Sequence, residues 1–293
     1  MRILRARHLG FCFGVRDAIA LAHQQARHGP FTLLGELVHN PSVRADLLAH
    51  GVGMEANPEA ILTSTVMVTA HGASESLRTQ LHQRGFAVLD ATCPLVRYAH
   101  RKLAALVAAG FHPVVVGLRG HAEVRGLTED LPGCDIILRP EDVESLAEHP
   151  RFGVISQTTQ PVARSRRLAG LIQQRFPAAE VRWVDTVCQP TKQRQDAAAE
   201  LARQCSVVVV LGGTASNNTR ELLATCGQAC ARVHLVQTAR DLRPAWFHAE
   251  DCVGITAGTS TPDDIVEQVA DWLETLAGAS QLAPRRAFAE AMA

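Results

Sequence analysis

The sequence is poor in aromatic residues and carries no net charge. Only 4% of its 293 residues are aromatic, which leaves little material for platforms that stack nucleic-acid bases. Lys+Arg and Asp+Glu both number 29, so the formal net charge is zero. The overall charge therefore predicts neither a nucleic-acid partner nor an anionic-membrane partner, and any anion site must be local.

Long hydrophobic runs are also missing. No stretch reaches the roughly 18 apolar residues of a membrane span, and the N-terminal residues 1–8 lack the apolar core of a secretory signal. We therefore expect a cytoplasmic protein with no membrane partner. In a cytoplasmic chain of this size, the eight cysteines indicate metal binding, catalysis or burial rather than disulfides. Burial is the expectation for five of them: Cys134, Cys205, Cys226, Cys230 and Cys252.

Short β-branched runs alternate with longer stretches of helical periodicity along the whole chain. This alternation is typical of βαβ units with parallel sheets. The clearest predicted strands are 66–70, 113–117, 153–156, 207–211 and 253–256, and a weaker one is 182–185. The predicted helices include 15–27, 95–109, 191–204 and 263–276.

Three cysteines are each followed, after a similar number of residues, by a polar loop. His39 follows Cys12, His121 follows Cys93 and Ser216 follows Cys188, each after 27 or 28 residues. A second set of polar residues follows behind a further apolar run: His71, Thr158 and Ser260. We therefore predict three diverged α/β units at 13–92, 93–187 and 188–277, with 1–12 a candidate addition to the third and 278–293 an irregular tail.

All these polar residues come after a predicted strand and before a predicted helix. Because ligands bind beyond the carboxyl ends of parallel strands, we expect the three units to surround one central cavity. Three thiolates spaced by whole domains do not suit a zinc knuckle, but they suit a metal cluster that leaves one coordination position free. The alternative, three buried small side chains, does not explain the repeated Asp-x-x-Cys context of Cys93 and Cys188.

The remaining loops indicate an anion site beside the thiols. His39, His71 and His121 have glycine or helix starts nearby, and residues 212–219 and 257–262 resemble turns that cradle phosphate. No Gly-Lys-Ser/Thr follows, so a nucleotide is not implied. Ordinary helix-capping turns remain an alternative for these two segments. Glu123 is the one carboxylate among the loops and a candidate proton donor.

These residues resemble the motif series of the 4-hydroxy-3-methylbut-2-enyl diphosphate reductases, over about residues 1–276. The matching segments are Gly10-Phe11-Cys12-Phe13-Gly14, Val38-His39-Asn40, Ala70-His71-Gly72, Asp90-Ala91-Thr92-Cys93-Pro94, His121-Ala122-Glu123, Ser156-Gln157-Thr158-Thr159, Ser216-Asn217-Asn218 and Ala257-Gly258-Thr259-Ser260. The chain departs from the family pattern at Ala122, where proline is usual, and at Asn217, where serine is common.

The resemblance implies a trefoil of three α/β domains around a 4Fe-4S cluster held by Cys12, Cys93 and Cys188. It implies a two-electron reductive dehydroxylation of an allylic diphosphate, with electrons from a donor such as ferredoxin or flavodoxin. Glu123, assisted by Thr158 and His121, would supply protons. The diphosphate-binding positions implied by the resemblance are His39, His71, His121, Ser216, Asn217, Asn218 and Ser260.

Two other functions stay open from the residues alone. One is a zinc or mononuclear-iron hydrolase that uses His39, His71 and His121 and buries the cysteines. The other is a non-catalytic protein that binds a small phosphorylated ligand. Neither explains why each repeat carries a thiol at the same edge.

Overall fold

The computed structural model describes residues 1–282 and contains three parallel four-stranded sheets. The first sheet has the strand order β3-β2-β4-β5. Its strands are β2 (Thr32–Leu34), β3 (Gly53–Glu55), β4 (Thr65–Val68) and β5 (Ala87–Asp90). The helices of this unit are α1 (Phe13–His28), α2 (Pro41–Ala49) and α3 (Glu75–Gln83).

The second sheet repeats the same topology in the order β7-β6-β8-β9. Its strands are β6 (His112–Val116), β7 (Asp135–Ile137), β8 (Arg151–Ser156) and β9 (Glu180–Trp183). The helices of the second unit are α4 (Pro94–Ala108), α5 (Ala122–Thr128), α6 (Pro140–Glu144) and α7 (Val162–Arg175).

The third sheet has the order β1-β12-β10-β11 and takes its edge strand from the N-terminus. Its strands are β1 (Arg2–Arg5), β10 (Val207–Leu211), β11 (Val233–Val236) and β12 (Cys252–Ala257), with helices α8 (Gln189–Gln204), α9 (Asn217–Gly227) and α10 (Asp263–Leu282). Strand β1 pairs in parallel with β12, Arg2 opposite Cys252 and Arg5 opposite Ile255. The N-terminal strand therefore completes the sheet formed by the C-terminal unit.

Helices cover both faces of each sheet, and the central strands are apolar for that reason. All five residues of β10 are buried, as expected of an unbroken Val/Leu run in a parallel sheet covered on both sides. On one face, Val209 packs in a core with Val269 and Leu273 of α10. On the other, Val208 packs with Ala198 of α8 and Leu222 of α9. Among the described residues, no helix is both long and apolar enough to cross a membrane.

The structure confirms the predicted alternation of strands and helices and corrects several limits. The predicted strand 66–70 ends at Val68, because Thr69 and Ala70 turn towards the loop that follows. The strand predicted at 182–185 is Glu180–Trp183, and β3 was not predicted, since its three half-buried residues form no apolar run. Cys226 and Cys230 are buried as predicted, but Cys134, Cys205 and Cys252 are only partly buried because they lie at the ends of elements.

Helix α10 is longer than the sequence predicts. It was expected to end at residue 276, yet it continues through Gly278 to Leu282. Alanines flank this glycine, and their high helix propensity outweighs the cost of one glycine. The remainder of the predicted tail, 283–293, lies outside the described residues, and the predicted domain limits stay a prediction.

Gly153 on β8 is required by close packing rather than by its backbone freedom. An added Cβ would lie 2.9 Å from the Cβ of Leu106 on α4 and 3.0 Å from that of Phe111. We expect Gly153→Ala to lower the free energy of unfolding by about 1–3 kcal/mol, because the helix must shift. Urea denaturation followed by circular dichroism measures this loss.

Gly170→Ala on α7 is the matched control. A Cβ at Gly170 meets nothing within 4 Å. We expect it to stabilise the protein by roughly 0.5–1 kcal/mol, the usual gain of alanine over glycine in a helix. Equal effects of the two substitutions would contradict the packing assigned to β8.

Candidate functional site

Each of the three repeated cysteines follows the edge strand of one sheet and precedes the first helix of the next unit. Cys12 follows β1 and caps α1, Cys93 follows β5 and caps α4, and Cys188 follows β9 and caps α8. The amide N–H of each cysteine donates to a carbonyl just beyond the neighbouring strand of its sheet. The acceptors are Thr259 O at 3.2 Å for Cys12, Ala70 O at 3.1 Å for Cys93 and Thr158 O at 3.0 Å for Cys188. The same type of backbone hydrogen bond therefore occurs at all three cysteines and places each of them at the carboxyl edge of its sheet.

The Asp-x-x-Cys motif occurs twice in the sequence, and in both places the aspartate forms an Asx turn with the backbone that follows it. Asp90 accepts a hydrogen bond from the amide of Thr92 at 2.9 Å, and Asp185 accepts one from Val187 at 3.1 Å. An aspartate that bonds the backbone two residues ahead stabilises such a turn. Arg78 pairs with Asp90 at 2.5 Å, and Lys192 pairs with Asp185 at 2.7 Å. These contacts fix the direction in which the chain approaches each cysteine.

The Cys12 thiol lies close enough to both Cys93 and Cys188 to interact with them electrostatically. Burial raises the pKa of Cys93 and, to about 11, that of Cys188; the negative charge of a Cys12 thiolate adds to both shifts. A Cβ at Gly14 would lie 2.5 Å from the Cys93 sulfur, so the start of α1 presses directly on that thiol. None of the three forms a disulfide. Free thiols at one edge, with a glycine that leaves room for the sulfur, fit the donor set of a metal cluster.

Arg194 ties the Cys12 turn to the helix that begins after Cys188. Its guanidinium is buried and donates to the Gly10 carbonyl at 2.7 and 3.0 Å and to the Phe11 carbonyl at 3.0 Å. Sequence reasoning did not single out this residue. Arg194 lies on the same face of α8 as the buried residues Ala197 and Leu201. A charged residue on an otherwise apolar helix face was the sequence signal that could have identified it.

Three histidine rings from the first two units meet in one cluster. His39 and His121 each lie five residues beyond the end of the first strand of their units, and His71 lies three residues beyond β4. The ring centroids are 5.0 Å apart for His39 and His71, 5.5 Å for His39 and His121, and 5.2 Å for His71 and His121. One nitrogen from each ring lies within 4.8 Å of the others.

Two of these imidazoles, those of His71 and His121, are held in the neutral form. Burial, with repulsion from His39, lowers the pKa of His121 to about 4, and burial lowers that of His71 well below its ordinary value. The Nδ1 atom of His121 accepts a hydrogen bond from the Glu123 amide at 3.1 Å, which assigns the proton to Nε2. The same bond caps α5 at its first residue, Ala122, so the helix starts there without the proline usual in the family.

The third unit adds small polar side chains where the other units have histidine. Ser216 caps α9 by accepting from the Thr219 amide at 3.3 Å. Both side-chain atoms of Asn218 and the hydroxyl of Ser260 are buried and have no hydrogen-bond partner within the described part of the chain. Buried polar groups are rarely left unpaired, so these atoms indicate a polar ligand. Asn217 differs, because its amide donates to the Thr159 hydroxyl at 3.0 Å and to the Thr159 carbonyl at 3.3 Å.

Glu123 is the buried carboxyl of the site. It is 2% exposed and accepts hydrogen bonds from the Thr158 amide at 2.6 Å and the Thr158 hydroxyl at 3.0 Å. Burial raises its pKa to about 7, against the opposing effect of these two bonds. Because the carbonyl of Thr158 accepts from the Cys188 amide, one residue links the acid to a thiol turn. The carboxyl can therefore hold or release a proton near neutral pH.

A narrow cavity of about 50 Å³ joins these groups. It is lined by all three units: Val15, Val38, His39, His71, His121, Glu123, Thr159, Ser216, Asn217, Asn218, Thr259 and Ser260. The structure thus brings the predicted histidines, acid, hydroxyls and amides to one place. Thr159, which sequence reasoning did not single out, also lines it. At Gly213 an added Cβ would lie 2.2 Å from the His39 carbonyl oxygen, so the third unit closes directly on the first.

Fold and site together define a three-lobed parallel α/β protein with thiols, imidazoles and a buried acid at its centre. A family model described as LytB protein matches residues 3–274. Since the match covers more than half of the sequence, the chain belongs to the LytB protein family.

Similar proteins include two bacterial enzymes named 4-hydroxy-3-methylbut-2-enyl diphosphate reductase. That of Anaeromyxobacter sp. (strain Fw109-5) is 38% identical, over 94% of this chain and 98% of that protein. That of Aquifex aeolicus (strain VF5) is 34% identical, over 94% of this chain and 96% of that protein.

Two solved structures share the fold. A structure of (E)-4-hydroxy-3-methyl-but-2-enyl diphosphate reductase has a TM-score of 0.68 and 33% identity, over 94% of this chain and 100% of that chain. The Plasmodium falciparum E-1-hydroxy-2-methyl-but-2-enyl-4-diphosphate reductase has a TM-score of 0.87 and 22% identity, over 93% of this chain and 87% of that chain. The predicted trefoil of three α/β units is confirmed.

The raised pKa of Glu123 is measurable in the metal-free protein. We expect a carbon-13 NMR titration of this carboxyl to have its midpoint near pH 7, since burial favours the protonated form. Thr158→Val should raise the midpoint further, because it removes a hydrogen bond that stabilises the carboxylate. A midpoint near the ordinary glutamate value, or a fall on Thr158→Val, would contradict the environment assigned to Glu123.

Proposed function

We propose that the protein reduces 4-hydroxy-3-methylbut-2-enyl diphosphate to isopentenyl diphosphate and dimethylallyl diphosphate, with release of water. The observation that carries the proposal is a buried acid, poised near neutral pH, that lines a cavity of unpaired polar groups and interacts electrostatically with Cys93 and Cys188. The names of the family relatives support it. The balanced reaction takes up two electrons and two protons, and the hydroxyl leaves as water.

In this proposal Cys12, Cys93 and Cys188 hold a 4Fe-4S cluster. When bound, such a cluster supplies the two electrons and an iron with a free position for the substrate hydroxyl. The protein provides thiols that stay protonated until metal binds, because burial raises the pKa of Cys93 and Cys188. The electron donor, such as ferredoxin or flavodoxin, and the cytoplasmic location remain predictions.

The diphosphate is assigned to the histidine and hydroxyl side of the cavity. His121 presents its Nε2–H, and Asn218 and Ser260 present buried groups that have no protein partner in the described residues. A bound anion would also favour protonation of His71, because it opposes the burial that keeps this ring neutral, whereas the Nδ1 atom of His121 stays the acceptor of the Glu123 amide. The His71 ring is therefore neutral in the free site and gains positive charge as the anion enters. Asn217 holds Thr159 in place and contributes through that contact.

Glu123 is assigned the delivery of protons. Its pKa of about 7 keeps much of the carboxyl protonated in neutral solution, as a general acid requires. The first proton leaves with the hydroxyl, and the second completes the new C–H bond. Thr158 orients the carboxyl through two hydrogen bonds, one from its amide and one from its hydroxyl.

The histidine triad alone also suits a divalent metal, as in a hydrolase. Its nitrogens lie within 4.8 Å of one another, a spacing that one ion can bridge. A hydrolase leaves the three converging thiols and their repeated amide hydrogen bonds without a role. The reductase proposal gives a role both to the three histidines and to the three thiols.

The acid role of Glu123 is tested by Glu123→Gln. We expect turnover to fall by roughly 10²–10⁴-fold, the usual contribution of a general acid, with iron content and diphosphate binding retained. Anaerobic assays with a chemical reductant measure turnover. Glu129→Gln is the control, since Glu129 lies at the far end of the same helix and bonds Ser74 at 2.7 Å. Full activity in Glu123→Gln would refute the assignment.

The ligand role of Cys93 is tested by Cys93→Ser. We expect iron and acid-labile sulfide to fall to a small fraction of the wild-type content, because two thiols cannot hold the cluster stably. Cys134→Ser is the matched control: this partly buried thiol belongs to the same unit and donates to the Asp135 carbonyl at 3.7 Å. Undiminished metal content in Cys93→Ser, or an equal loss in both variants, would count against ligation.

A further inference from the structure

A second group of thiols lies in the third unit, away from the site described above. Cys205 and Cys252 place their sulfur atoms 3.7 Å apart, close to van der Waals contact. Two further cysteines of this unit donate instead to backbone carbonyls, Cys226 to Ala198 O at 3.9 Å and Cys230 to Arg232 O at 3.5 Å. Cys205 and Cys252 are both partly exposed, so a small reagent can reach them.

The backbone holds these two cysteines in fixed positions. Cys205 ends α8 and Cys252 begins β12, and Ser206 lies between the two segments. The Ser206 amide donates to the Cys252 carbonyl at 2.9 Å, and the Cys252 amide donates to the Ser206 hydroxyl at 3.1 Å. Bonded sulfurs lie about 2 Å apart, so side-chain rotation can close the remaining gap while this backbone stays in place.

The two thiols differ in reactivity. The Arg2 guanidinium donates a hydrogen bond to the Cys252 sulfur at 3.4 Å, so a cation lies directly beside this thiol. Burial, followed by the contact with Cys252, raises the pKa of Cys205 to about 12. Cys252 is therefore the attacking thiol, and Cys205 is the one that resolves the intermediate.

We propose that Cys205 and Cys252 form a reversible disulfide when the protein meets a low-molecular-weight disulfide such as oxidised glutathione. The Cys252 thiolate attacks one sulfur of the oxidant, which forms a mixed disulfide and releases one glutathione thiolate. The Cys205 thiol then loses its proton and attacks the Cys252 sulfur, which releases the second glutathione. Two protein thiols are oxidised, and one glutathione disulfide is reduced to two thiols.

The pair lies at the far ends of elements that lead to the site. Helix α8 runs from Cys188 to Cys205, and β1, which pairs with β12 through Arg2 and Cys252, leads to Cys12. An oxidised pair would covalently join the end of α8 to the sheet that carries the Cys12 turn. The cross-link spans 47 residues of chain, so it restricts the unfolded state and raises Tm.

The test uses anaerobically purified holoprotein in buffers of increasing ratio of oxidised to reduced glutathione. After acid quenching and alkylation of free thiols, peptide mapping by mass spectrometry should find the Cys205 peptide linked to the Cys252 peptide. Reduction should reverse the link, and the linked protein should melt roughly 5 °C higher than the reduced one. Iron content measured on the same samples keeps this result separate from the reductase proposal.

Two variants test the order of attack. Cys205→Ser should retain one glutathione on Cys252, because the resolving thiol is missing. Cys252→Ser should leave Cys205 unmodified, and Cys134→Ser should form the link as the wild type does. Two thiols that stay reduced throughout the series, or a Cys252 that stays glutathionylated in the wild type, would overturn the proposal. Modification of Cys205 in Cys252→Ser would overturn the assigned order.

Discussion

The hydrogen bond from each repeated cysteine amide to the carbonyl beyond its neighbouring strand is the interaction on which the site depends. It occurs at Cys12, Cys93 and Cys188 with lengths of 3.0–3.2 Å. In each case it fixes the end of an edge strand, the start of the next helix and the direction of the thiol. Because the three sheets share one topology, the same local bond places all three thiols at equivalent edges of their sheets.

Burial in that site shifts the pKa values of an acid, of two histidines and of two thiols. The same loss of water that raises the pKa of Glu123 to about 7 lowers that of His121 to about 4 and raises that of Cys188 to about 11. All three groups are therefore neutral, or close to it, before a ligand enters. The proposed cluster would bind thiolates and the proposed substrate would bring a diphosphate, and each of these would reverse the neutral state. The protonation of these groups is therefore expected to change when charged ligands bind.

The sequence predicted the parts of the structure that are local and repeated. The Val207–Leu211 run identified a central strand, and the intervals behind Cys12, Cys93 and Cys188 identified units with one topology. It could not predict β3, which has no apolar run of its own, or the end of α10, where alanines outweigh Gly278. The neutral state of His71 and His121 was also out of reach, and the only sequence signal for buried Arg194 was a charged residue in the apolar stripe of α8. Their state depends on how closely the three units approach, which no local pattern records.

Mössbauer spectroscopy of anaerobically purified protein grown on isotope-enriched iron tests the central claim most directly. If three thiols at one edge share a single cluster, the spectrum will show a 4Fe-4S centre in which one iron differs from the other three, and that iron will change when substrate is added. A correctly folded protein that contains only mononuclear iron or zinc would contradict the account. So would a cluster whose four irons are equivalent and indifferent to substrate.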